Sequence, residues 1–301
     1  MTLILCLGNR EQFIQLSDRR LTADGKFLDD ETNKSGVLQC VNARFAFGFT
    51  GIAKAGKAFN TNEWLLEKII ESSQAENRAD QIMLRLKEKI NNEFYSLPSL
   101  SKIPISQKAL SIIFTGYLYN FDPPRGVCAI LSNTNNQNSV QEKFNFTIKN
   151  QKIGKADLNF SFIEYVGYIK AMKNEDLKIL KDMLITNKPS QAIVNKAVLL
   201  IKQIADRPQA HEAIGKQISS IVIPRDLSKT AKTGYHSEIL SRKYFMPYSV
   251  FALQNHYSAA IRDITIEAMD VNAPPLVYPK WPKNRKCPCG SGKKYKYCHG
   301  K

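Results

Sequence analysis

At 301 residues with a formal charge of +16, the chain is long enough to bury a large core without disulfide staples. Its opening apolar run, Leu3 to Leu7, is too short and too soon followed by Gly8, Asn9 and Arg10 to serve as a secretory signal; no stretch has the length to span a bilayer, so a cytoplasmic, reducing setting is expected. The charge is uneven: from Pro279 onward there are eight Lys and Arg and no acid, half of the excess in 23 residues, a block suited to nucleic acid, an anionic lipid surface or an acidic protein face.

Leu3 to Leu7 and Phe13 to Ser17 predict an opening hairpin, and Val37 to Val41 with Arg44 to Phe49 a second strand pair. Between them lie the Asp24-Gly25 turn and a polar loop, Asp29 to Lys34. Trp64, Leu65, Leu66, Ile69 and Ile70 form one apolar helical face, and Ile82, Leu86 and Ile90 recur at i+4 as another. Pro98 and Pro104 bracket the loop that ends this pair. Leu110 to Tyr119 and Val127 to Leu131 read as strands joined through the turn Asp122 to Gly126, followed by a polar loop from Asn133 to Asn138.

The strict alternation of Phe144, Phe146 and Ile148, and of Leu158, Phe160 and Phe162, predicts two half-buried strands. Leu177, Leu180 and Leu184 line a third helix. Ser190, after Pro189, is placed as the N-cap of a fourth carrying Ile193, Ala197, Leu200, Ile201 and Ile204. Ile218 to Pro224 is expected to close the domain as its final strand. Beyond it, Thr230 to Gly234 reads as loop, Ser249 to Leu253 and Ile261 to Ala268 have strand or short-helix character, and Ala273 to Pro282 is a proline-punctuated linker. His211, His236 and His256 stand singly and read as surface or satisfied core residues. Strands, a helix pair, strands, a helix pair and a strand make an α+β chain of two antiparallel sheets covered by helices.

Two stretches carry chemistry. If Met1 is removed, as a small second residue permits, Thr2 holds a hydroxyl nucleophile and a free α-amine of pKa about 8 that can act as its base. Asp18 and Lys34 follow 16 and 32 positions later. Lys34 is placed to supply positive charge that lowers the proton affinity of the amine and hydroxyl, with Asp18 holding and compensating the ammonium. The Gly51 N–H is placed to meet the oxyanion of an attacked carbonyl, a contribution of about 3 kcal/mol in acyl-transfer enzymes. Glycine suits close backbone approach there. Taken singly, the charged residues have a plainer reading: Asp18 with Arg19 and Arg20 as a surface cluster, and Lys34 as part of a polar loop.

The joint spacing of Thr2, Asp18 and Lys34, the segment Ser17 to Thr22, and the strand Phe45 to Phe49 with Thr50-Gly51 resemble proteasome β subunits and their bacterial relatives. The resemblance implies a four-layer αββα N-terminal-nucleophile (Ntn) hydrolase sandwich over residues 1–225, followed by an extension and linker over 226–282. The serine and aspartate that complete the site in that family have no firm counterpart here, Ser161 being the one candidate. The implied activity is hydrolysis of amide bonds in a protein or peptide substrate. An amidohydrolase of small molecules on the same fold and a non-catalytic scaffold remain open alternatives. Further copies of the chain are also among the expected partners.

Cys6, Cys40 and Cys128 sit alone among apolar residues, as small core side chains do. Cys287, Cys289 and Cys298 do not. The run Asn284 to Gly300, with Cys287-Pro288-Cys289-Gly290-Ser291-Gly292 and Cys298-His299, resembles the SEC-C motif of the SecA translocase ATPase. Cys287, Cys289, Cys298 and His299 are the implied ligands of one Zn2+. Three thiolates and an imidazole form a closed tetrahedral set, structural in kind. The resulting tail, 283–301, is expected to recruit a protein, ribosome or acidic surface. Deleting it should remove about one zinc per chain, by metal analysis; an unchanged zinc content would move the metal elsewhere.

Overall fold

The computed structural model describes residues 2–23, 26–30, 32–56, 58–135, 139–151, 160–168, 170–211, 213–237, 248–252 and 258–261, with Asn284, Lys294 and Tyr297. The chain divides into two units, Met1–Met269 and Asp270–Lys301. In the second, the Tyr297 amide donates to the Lys294 carbonyl at 2.9 Å. The four expected zinc ligands lie outside the described residues.

The first unit mixes α and β structure. It opens with β1 (Leu3–Asn9), β2 (Gln12–Asp18), a small hairpin of β3 (Leu21–Ala23) and β4 (Lys26–Asp29), β5 (Ser35–Gln39) and β6 (Ala43–Gly51). A second small hairpin, β7 (Lys54–Ala55) and β8 (Phe59–Asn60), leads into α1 (Thr61–Ala75) and α2 (Ala79–Glu93). Then come β9 (Leu110–Leu118), β10 (Arg125–Thr134), β11 (Val140–Gln151), β12 (Ser161–Gly167), α3 (Asn174–Ile185), α4 (Ser190–Ala205), β13 (Ile218–Pro224), β14 (Lys232–His236), β15 (Tyr248–Ala252) and β16 (Ser258–Ile261).

One sheet has the order β12-β1-β2-β13-β14, the other β11-β10-β9-β6-β5-β15-β16. Alternation along the strands decides what each face covers. Leu3, Leu5 and Leu7 of β1 join Ile14 and Leu16 of β2 against Leu180 and Leu184 of α3 and Ile193, Ala197 and Ile201 of α4. Ile4, Cys6 and Phe13 face the other way, forming a core with Val37, Ala46, Ile113 and Cys128 of the second sheet. On that sheet's opposite face, Phe45, Phe47 and Phe49 meet Leu65 and Ile69 of α1 and Ile82, Leu86 and Ile90 of α2. The continuous run Leu3 to Leu7 is therefore buried on both sides, as an apolar run without alternation requires.

Several sequence expectations shift. Ser190 is the first residue of α4, and Pro189 occupies the cap. Ile218 to Pro224 lies between β2 and β14, so it is an interior strand, and residues expected as loop near Thr230 to Gly234 contribute β14. Strand pairing thus continues past residue 225, with β15 running parallel to β5. The strand predicted over Leu158, Phe160 and Phe162 begins at Ser161, while Leu158 lies outside the described residues.

Asn133, expected in a polar loop, is buried inside β10. Its Oδ1 accepts the Leu110 amide at 2.8 Å, and its Nδ2 donates to the Lys108 carbonyl at 2.9 Å. A polar side chain fits there because the Leu110 amide needs an acceptor and the Lys108 carbonyl a donor. Asn133→Ala leaves both groups without that partner, and a loss of about 1–3 kcal/mol is expected in chemical unfolding; an unchanged midpoint would show that water replaces the amide without cost.

Candidate active site

β1 and β2 pair antiparallel with Ile4 opposite Ser17, which brings the start of β1 beside the end of β2. β5 of the second sheet begins at Ser35, directly after Lys34. The ends of three strands thereby bring Thr2, Asp18 and Lys34 together. All three are buried, at 3%, 0% and 1% exposure.

Lys34 Nζ donates to Thr2 Oγ1 and to the Arg20 carbonyl, and lies 3.8 Å from Asp18 Oδ1. Asp18 is held by three amides: Leu3 N at 2.6 Å on Oδ2, and Arg20 N at 3.0 Å and Gly215 N at 3.1 Å on Oδ1. Burial pulls the Lys34 ammonium below the ordinary lysine range; Asp18, Asp29 and Asp30 oppose that pull and Arg19 adds to it. Burial likewise raises the Asp18 carboxyl, against Lys34 and the three amides.

The carbonyl of Thr2 is fixed as firmly as its side chain. Thr50 Oγ1 donates to it at 3.1 Å from β6, and the Tyr168 amide donates at 2.9 Å from the residue after β12. Gly167 makes this possible. Its φ of +100° suits glycine, and a Cβ there would stand 1.7 Å from the Thr2 carbonyl oxygen. Gly51 has φ +114°, and a Cβ on it would meet the Ala109 carbonyl oxygen at 2.0 Å. It directly follows the threonine that binds Thr2.

Ser161 is not brought to this place. It pairs with Asn9 while Gly167 pairs with Leu3, so it lies at the far end of β1, about 20 Å away at some 3.3 Å per residue. His236 is a satisfied core residue, its Nε2 2.9 Å from Ser220 Oγ. Among the described residues no helix is long and apolar enough to cross a membrane, and no cluster of His, Cys, Asp and Glu could hold a metal.

The SEC-C motif family model matches residues 284–301. The SecA translocase subunit of Acidiphilium cryptum is 50% identical over 42 residues, 14% of this chain and 4% of that protein. That of Burkholderia multivorans is 50% identical over 44 residues, 15% of this chain and 5% of that protein. The chain thus spans only a small fraction of the length of these relatives. Among solved structures, the helical assembly of the Anbu complex from Pseudomonas aeruginosa is similar at 12% identity and a TM-score of 0.47, over 78% of this chain and 87% of that one. An Anbu Gly-1 mutant from Hyphomicrobium sp. strain MC1 is similar at 12% identity and a TM-score of 0.48, over 77% and 87%.

Thr50, Gly167, Tyr168 and Gly215 were not singled out as partners by sequence. Three of the contacts run through backbone amides or the absence of a side chain, which leave no spacing rule. The Gly167 signal was a lone glycine ending a β-rich run. Thr50→Val removes one of two donors to the Thr2 carbonyl. It should cost about 1 kcal/mol in chemical unfolding through the lost hydrogen bond; an unchanged midpoint would show that the Tyr168 amide suffices.

Proposed function

We propose that the chain is an N-terminal threonine hydrolase of amide bonds, most naturally peptide bonds, built on a four-layer αββα Ntn-type sandwich. The observation that carries this reading is Lys34 Nζ held against Thr2 Oγ1 inside a buried site, with Asp18 at 3.8 Å. A surface charge cluster has no need of that hydroxyl. The sequence resemblance over the first fifty residues supports the same assignment.

In this reading the chain ahead of Thr2 is removed, freeing its α-amine. The α-amine takes the hydroxyl proton as Oγ1 attacks the substrate carbonyl, while Lys34, donating to Oγ1, supplies the positive charge that lowers the proton affinity of the hydroxyl. The negative oxygen that forms is met by the Gly51 amide. The tetrahedral species collapses, the C–N bond breaks, and the leaving amine takes up a proton from the α-amine or Lys34. Water then hydrolyses the Thr2 ester. Asp18 keeps its place under three amides and steadies Lys34 through charge.

The catalytic domain is placed over residues 1–225, with 226–282 as an extension that lends strands to both sheets. The 283–301 tail carries the zinc. Its donor set, Cys287, Cys289, Cys298 and His299, leaves no open coordination position, so the metal stabilises a recruiting element and takes no part in bond cleavage. Recruitment of a protein, ribosome or anionic surface is electrostatic in part, given the basic residues around the ligands. The setting is cytoplasmic, and self-association is part of the reading.

Thr2→Ala should abolish hydrolysis of a small amide or short peptide with the fold intact, while Thr2→Ser keeps part of it. Lys34→Ala should be inactive, and Asp18→Asn less severely affected. Normal rates in Thr2→Ala or in both charge variants would contradict the assignment. The chain lacking 283–301 should turn over a small substrate normally and lose salt-sensitive capture of its macromolecular partner; a folded but inactive truncation would place the tail in the active site.

A further inference from the structure

The layer between the two sheets is apolar around Ile4, Cys6, Phe13, Val37 and Ala46, yet the same faces also carry polar side chains. Alternation identifies them. On β2, Ile14 and Leu16 face the helices and Phe13 faces the other sheet, so Gln15 and Ser17 point between the sheets. On β5, Leu38 packs with α1 and α2 while Val37 belongs to the inter-sheet core, so Ser35 also points inward. Thr233 of β14 stands opposite Ile221, and Ser249 of β15 opposite Val37; both partners belong to the inter-sheet core, which places Thr233 and Ser249 on the same side.

All five are buried, none more than 4% exposed. Gln15 Nε2 and the hydroxyls of Ser17, Ser35, Thr233 and Ser249 have no hydrogen-bond partner among the described residues. The Gln15 amide is oriented by its other end, where Oε1 accepts from Thr115 Oγ1 at 3.1 Å and from Cys6 Sγ at 3.9 Å. Its Nε2 comes against β6 at Gly48, where a Cβ would stand 2.6 Å from Nε2 and 3.2 Å from the Lys34 carbonyl oxygen. Gly48 pairs with Ser35. The unpaired amide end therefore lies where β6 meets the backbone of Lys34 and Ser35. Ser17, on the same face of β2, directly precedes Asp18.

A buried hydroxyl or amide left dry forfeits the hydrogen bonds it makes in water, and five of them on the facing surfaces of one layer are not accounted for by apolar packing. The set offers amide protons and four hydroxyls that both donate and accept, with no charge to hold an ion. That is the chemistry of water, which takes about two to four polar partners in a protein interior.

We propose that the inter-sheet layer beside Lys34 is a water-binding site: ordered water held by Gln15, Ser17 and Thr233 of one sheet and by Ser35 and Ser249 of the other joins the sheets next to the strand ends that carry Asp18 and Lys34. The site is a property of the fold and does not depend on which bond Thr2 attacks.

A crystal structure of the intact chain, at a resolution where ordered water is visible, together with chemical unfolding of Ser17→Ala and Ser35→Ala, tests this. Density is expected within hydrogen-bond distance of Gln15 Nε2 and of the Ser17 and Ser35 hydroxyls. The sign of the stability change separates wet from dry. Where a hydroxyl binds water, removing it loses those bonds and lowers the denaturant midpoint; where it is buried without a partner, removing it relieves a desolvation cost and raises the midpoint. Both variants should unfold at lower denaturant than the intact chain. A layer without such density, or a midpoint that rises or stays unchanged in either variant, overturns the proposal, and the density is read on the intact chain if a variant does not fold.

Discussion

The burial of one lysine organises the N-terminal end of this molecule. Lys34 Nζ sits almost out of reach of solvent between the Thr2 hydroxyl, the Arg20 carbonyl and the Asp18 carboxylate. Taking an ammonium out of water costs several kcal/mol unless hydrogen bonds and an opposite charge replace the lost hydration. Each compensating group must therefore be held in place, and each comes from a different stretch of chain. β1 brings Thr2, β2 brings Asp18, the turn after β2 brings the Arg20 carbonyl, and the segment before β13 brings the Gly215 amide that fixes Asp18. The pairing of the two sheets around the Ile4, Phe13 and Val37 core is what lets these ends meet.

The same constraint explains the backbone around Thr2. Two donors on the Thr2 carbonyl, from β6 of one sheet and from beyond β12 of the other, hold the residue from both sides and fix the direction of its hydroxyl, as the proposed nucleophile requires. Gly167 leaves the space that the Thr2 carbonyl occupies, and any side chain there would overlap it. Position and charge are thus supplied by separate parts of the fold, the first by Thr50 in β6 and the residue after β12, the second by the end of β2 and the residue before β5.

Much of this was legible in the residues. The 3.6-residue spacing of Ile82, Leu86 and Ile90, and the doubly apolar Leu3 to Leu7, announce their surroundings because burial acts directly on side-chain type. Thr2, Asp18 and Lys34 were legible for a related reason: their chemistry is rare in combination, and the structure does assemble them. The amides of Tyr168 and Gly215 were not, since every residue but proline has one. Asn133 misled because an asparagine among polar residues reads as loop, whereas here it supplies hydrogen bonds that the neighbouring strand lacks. β14 was missed for a similar reason, since Lys232 to His236 is short, lies at a sheet edge and carries no apolar alternation.

The central claim is that Thr2 is a free-amine nucleophile, and intact-mass analysis of the purified chain before and after exposure to a hydroxyl-directed electrophile, with peptide mapping of any adduct, tests it most directly. The account predicts a chain beginning at Thr2 that gains one equivalent of reagent on that residue. A chain that keeps residues ahead of Thr2 and gains nothing there would contradict it.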